Sequence, residues 1–108
     1  MIRNGGRYRV VLVTCGSMAE ARKIGRAVVE KELAACANIV AGVESIYRWK
    51  GKVEQAREAL VVMKTSATRL RELEREVKRL HSYDVPEFIA LPIVAGSKEY
   101  LKWIGENE

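Results

Sequence analysis

The sequence has one histidine, one phenylalanine, two prolines and two cysteines among its 108 residues. With two cysteines and no export signal, reduced thiols are expected rather than a disulfide. Cys15 and Cys36 both lie in apolar, strand-like text, which predicts buried, reduced thiols and a cytoplasmic setting. Cys15-Gly16-Ser17-Met18 lacks the second thiol of a Cys-x-x-Cys metal-transfer loop. Aromatics make up 6% of the chain, and the run Ala59-Leu60-Val61-Val62-Met63 contains none. A strand without stacking aromatics excludes the usual single-stranded RNA platform, so no nucleic-acid partner is expected. No apolar run approaches the roughly 20 residues that span a bilayer, so no membrane partner is expected. The start, Met1 to Arg7, has no apolar core and reads as a loose, basic leader over residues 1–6 of a single domain. No Ser-His-Asp, Cys-His or paired-carboxylate arrangement stands out, and no catalytic activity is expected. Charge is plentiful: 19 Lys and Arg against 14 Asp and Glu, a net +5. The signs are interspersed, so this excess permits an anionic partner without demanding one.

What is present is a clear alternation of periodicities. Tyr8 to Cys15 is β-branched and almost wholly apolar, as in a buried strand. Ser17 with Glu20 forms a capping-box pattern before a helix whose apolar stripe is Ala21, Ile24, Ala27 and Val28. A second strand runs from Ala35 to Trp49, with Gly42 marking a bulge or bend. Lys50-Gly51 is a hairpin turn, and the return strand runs from Lys52 to Thr65. Thr65, Ser66 and Thr68 offer caps for a second helix with the stripe Leu70, Leu73, Val77 and Leu80. Pro86 ends that region, since the residue before proline resists the helical conformation. Phe88 to Val94 is a last strand, in which Pro92 points to an edge or an irregular end, and Tyr100, Leu101 and Ile104 mark a terminal helix. The order is β-α-β-β-α-β plus a helix: an α+β, ferredoxin-like split βαβ plan with helices on one face of one sheet.

The central hairpin is too long for this sheet. Its arms approach fifteen residues, about 50 Å of extended chain at ~3.3 Å per residue, against about eight for the outer strands. The unsupported tip carries Ile46, Tyr47 and Trp49. A lone two-stranded ribbon is marginal in water, and aromatics of this kind are enriched at interfaces. These residues are expected to bury against another copy of the chain.

Leu33-Ala34-Ala35-Cys36-Ala37-Asn38-Ile39, Ser45-Ile46-Tyr47-Arg48-Trp49-Lys50-Gly51-Lys52, Lys64-Thr65, His81-Ser82-Tyr83-Asp84-Val85-Pro86-Glu87 and Tyr100-Leu101-Lys102-Trp103 follow one another in this order. Together they resemble the successive signatures of the CutA family, over about Tyr8 to Ile104. The resemblance implies a ferredoxin-like homotrimer, similar to PII signalling proteins, linked to tolerance of divalent metal ions and of copper above all. Val13 stands where some members carry a copper-binding cysteine, with Cys15 two residues on and on the same strand face.

His81, Cys15 and Cys36 are the candidate metal ligands: neutral imidazole is the commonest ligand, and thiolates suit copper. Each also fits a core position. Glu58 and Lys64 share a face of the return strand, and in related proteins equivalent positions line the cleft between subunits. Tyr83 and Glu87 flank the Pro86 turn and join them as candidate pocket residues. A divalent cation, copper first, is the expected ligand. Two further readings are a PII-like signalling trimer whose cleft holds a small anion through Lys64 with backbone N–H groups, and a mainly structural trimer with no small ligand; an unidentified protein or small-anion partner is left open.

Overall fold

A computed structural model describes all of residues 1–108. Strands β1 (Ile2–Asn4) and β2 (Tyr8–Cys15) precede helix α1 (Met18–Glu30). Strands β3 (Cys36–Trp49) and β4 (Lys52–Ser66) form the hairpin. A 3₁₀ turn (Ala67–Arg69) leads into α2 (Leu70–Leu80), then β5 (Ile89–Pro92), β6 (Ala95–Ser97) and α3 (Lys98–Asn107). The main sheet has the order β3-β4-β2-β5 and every pairing is antiparallel, which is the ferredoxin-like topology. As Pro92 requires, β5 lies at an edge and ends on that residue.

Alternation along the strands builds the core. Val11, Val13 and Cys15 of β2 and Ala59, Val61 and Met63 of β4 point to one face, where they meet Ala21, Ile24 and Val28 of α1 and Leu73 and Val77 of α2. All are buried. Glu76 ties the two helical segments together. It accepts from Lys31 Nζ at 2.7 Å and from Arg79 Nη2 at 2.8 Å. The hydrogen bonds from Arg79 and Lys31 hold its carboxyl well below the usual range, at about 2.

Several local expectations are corrected. The leader is not loose: Ile2–Asn4 pairs with Ala95–Ser97 as a second, two-stranded sheet. The final strand breaks after Pro92 and resumes as β6 in that small sheet. The capping box is half formed. Ser17 Oγ accepts from the Glu20 N–H at 3.1 Å, but the Glu20 carboxylate reaches to the Ser82 N–H instead. No side chain caps α2, because Thr65 donates to the Leu33 carbonyl and Ser66 to Glu108. Nor do all helices share one face. Leu101 and Ile104 of α3 form a separate cluster with Ala35, Tyr8 and Ile93, and Tyr100 meets Cys36, which faces away from the main core.

The rest of that second face is uncovered. Val10 and Leu12 of β2, Leu60 and Val62 of β4, Val40 of β3, and Ile89 and Leu91 of β5 are joined by the register across the sheet. Val40, Ile89 and Leu91 are each nearly half exposed. The hairpin then runs on beyond the sheet, since β2 pairs with β4 only from Ala59 to Ser66. A bulge between Val40 and Val43, with Gly42 at φ 72°, bends it, and Lys50 and Gly51 close it with φ of 51° and 80°. The molecule is accordingly elongated, 46 × 25 × 23 Å.

Candidate functional site

The segment after α2 is pinned by His81. Its Nδ1 accepts from the Tyr83 N–H at 3.1 Å, so the proton sits on Nε2, which donates to the Thr14 carbonyl at 2.7 Å. The side chain is fully enclosed. Tyr83 turns back against the imidazole, ring centroids 4.7 Å apart, and its hydroxyl passes over Gly16, where an added Cβ would sit 3.2 Å from that oxygen. The absence of a side chain at Gly16 therefore gives Tyr83 its path to the base of the hairpin. There it donates to Glu58 at 2.8 Å.

This placement creates a cleft of about 630 Å³ between the hairpin and the 83–87 loop. Thr14 forms part of its floor, Ile46, Tyr47 and Trp49 come from the hairpin, and Glu44, Glu58, Asp84 and Glu87 supply four carboxylates. No lysine or arginine lines it. The consequences are electrostatic. Burial, then the charge of Glu58, pushes the Glu87 carboxyl up. Burial, then the hydrogen bond to Glu58, pushes the Tyr83 phenol to about 12. The cleft is thus a negative basin in which added positive charge relieves crowding of like charges.

Of the predicted pocket residues, Glu58, Tyr83 and Glu87 meet here and Lys64 does not. Lys64 does share the Glu58 face of β4, but its ammonium donates to Asn38 beside Cys36, near α3. The predicted metal ligands divide in the same way. Cys15, His81 and a third residue, Glu20, bring their ligand atoms within 4.8 Å of one another. Cys36 lies on the other face of the sheet, 3.8 Å from Tyr100 Oη, and takes no part.

The Cys15–Glu20–His81 cluster has two features of a metal site. Glu20 Oε1 is buried without a partner, and the His81 Nε2–H is oriented by a carbonyl, as in many histidine ligands. Two others oppose it. Nδ1, the nitrogen facing the cluster, already accepts from Tyr83, and burial, with Glu20 and Glu58 adding, pushes the Cys15 thiol to about 12. A metal there must displace one hydrogen bond and strip a tightly held proton. Glu20, Thr14 and Asp84 escape sequence reasoning because their roles depend on contacts across the fold; Glu20 reads only as a cap.

Residues 9–107 match the family described as CutA1 divalent ion tolerance protein. The divalent-cation tolerance protein CutA of Thermus thermophilus is 51% identical over 98 residues, covering 91% of this chain and 95% of that protein. The solved structure of a Thermus thermophilus divalent cation tolerance protein superposes with a TM-score of 0.91 at 50% identity, covering 93% of this chain and 97% of that one. The chloroplastic protein CutA of Arabidopsis thaliana is 46% identical over 88% of this chain and 52% of its own length.

Proposed function

The chain belongs to the CutA1 divalent ion tolerance family, and from that premise we propose that it works as a homotrimer that takes divalent cations, copper first, into the acidic cleft beside the hairpin. The observation that carries this reading is the cleft lining: four carboxylates, a tyrosine hydroxyl and no basic side chain. Carboxylate oxygens bind divalent ions, and among first-row metals any such donor set holds Cu(II) most tightly. The enclosed Cys15–Glu20–His81 cluster serves instead to fix the loop that carries Tyr83, Asp84 and Glu87. A small-anion ligand in the cleft is disfavoured, because Lys64, the cation it requires, is held elsewhere.

Assembly rests on two apolar surfaces that this chain leaves open. One is the uncovered sheet face of Val10, Leu12, Val40, Leu60, Val62, Ile89 and Leu91. The other is the hairpin tip, where Ile46, Tyr47, Trp49 and Val53 are 69%, 44%, 49% and 65% exposed. Patches of this extent are unusual on a monomer. In this reading the sheet faces pack together, each tip lies over a neighbour, and the cleft falls at a subunit boundary. No helix is long and apolar enough to cross a membrane, and the cytoplasmic reading rests on the two free thiols.

Calorimetric titration with Cu(II) tests the site. The double variant Glu58→Gln/Glu87→Gln should bind roughly tenfold or more weakly, while Lys64→Ala binds as the parent does. Unchanged affinity in the double variant removes the cleft as the site.

A further inference from the structure

A second concave site lies where β1 meets the start of α3. Arg3, Asn4, Tyr8, Lys98, Leu101 and Lys102 enclose about 280 Å³. We propose that this pocket binds a small phosphate-class oxyanion, and that it is separate from the acidic cleft and independent of the cation reading.

The local charges run against what helix and sheet physics favours. Lys98 opens α3, at the positive end of the helix dipole, where a cation is unfavourable. Lys102 follows four residues later on the same side, and like charges at that spacing repel. The pairing of β1 with β6 then brings Arg3 to the same place. None of the three cations has a carboxylate partner within 4.0 Å. The one acidic residue in the first turn, Glu99, is not part of the lining. A cluster that breaks local rules without internal compensation is a mark of a functional site.

The neutral groups add donors. The Asn4 side-chain oxygen is engaged by the Gly6 N–H at 2.8 Å, which leaves its amide hydrogens free. The Tyr8 oxygen accepts from Arg7 Nη2 at 3.0 Å, which leaves its hydroxyl hydrogen to donate. The basin is thus lined by an arginine, two lysines, an asparagine and a tyrosine, with no acid in its wall. A guanidinium fork matches the spacing of two phosphate oxygens, and the flanking lysines neutralise the remaining charge. The volume suits one or two phosphoryl groups, free or carried on a small molecule.

The test is calorimetric titration of metal-free protein with inorganic pyrophosphate and, in parallel, with ADP, at constant ionic strength so that general screening is held fixed. Saturable pyrophosphate binding is expected, and Lys98→Gln/Lys102→Gln should weaken it by about tenfold or more. Tighter binding of ADP than of pyrophosphate would identify a carried phosphate as the ligand; the reverse would identify the free anion. Lys102→Glu should abolish binding and, without anion, melt no lower than the parent, because it removes a repulsion. The absence of saturable binding of either compound, or equal affinity in the double glutamine variant, overturns the proposal. Copper titration of the same variants should be unchanged, which separates this site from the cleft.

Discussion

Val62→Asp should convert the assembly to monomers. Val62 sits on β4, an interior strand of the sheet, paired with Leu12 on one side and Asn38 on the other, on the part of the face that no helix of its own chain covers. In an isolated subunit an aspartate there remains in contact with water and costs little. At a closed interface each subunit contributes a carboxylate with no partner, and the effective penalty is roughly several kcal/mol per ion. Three such ions near one axis also repel one another. The change is read by light scattering: a single-subunit mass with an unaltered far-ultraviolet circular dichroism spectrum is expected. A trimer that persists at low micromolar concentration would mean that this face is not the interface.

The second large effect is His81→Ala. The imidazole is fully enclosed and bonded at both nitrogens, so truncation leaves the Thr14 carbonyl and the Tyr83 N–H without partners and opens a hole beneath Tyr83. Each orphaned group costs about 1–3 kcal/mol, and the missing ring adds to that. The total, about 3 kcal/mol or more, lowers the melting temperature by roughly 10 °C or more. Copper affinity should fall only modestly, through loosening of the loop that carries Asp84 and Glu87. A variant as heat-stable as the parent that has lost copper binding would relocate the metal to the Cys15–Glu20–His81 cluster.

Much of the architecture was legible because it follows from local patterning. The helix stripes Ala21–Ile24–Val28 and Leu73–Val77 are buried where their spacing puts them. Gly42 and Lys50-Gly51 mark the bulge and turn because few residues tolerate positive φ. The excess length of the hairpin over β2 was visible as a simple difference in strand length. What escaped depends on distant partners. Strand β1 has no pattern of its own and exists only because β6 lies beside it. Glu20 looks like a cap until the Ser82 N–H arrives to claim its carboxylate. Cys36 and Cys15 read as similar apolar thiols, yet one faces the α1–α2 core and the other faces α3. Lys64 and Glu58 share a strand face as their even separation requires, but a face is long, and six residues of strand separate a negative cleft from an ammonium bound to Asn38.

The family is named for tolerance of divalent ions, and the proposed site is the set of carboxylates gathered at the hairpin base, in a chain with one histidine and two enclosed or half-enclosed thiols. Native mass spectrometry of the purified protein, with and without one equivalent of Cu(II) per subunit, tests this most directly. The account predicts a trimer of the 12.2 kDa chain that retains one copper per subunit and loses it in the Glu58→Gln/Glu87→Gln variant. A monomer, or a trimer whose copper content is indifferent to those two carboxylates, would contradict it.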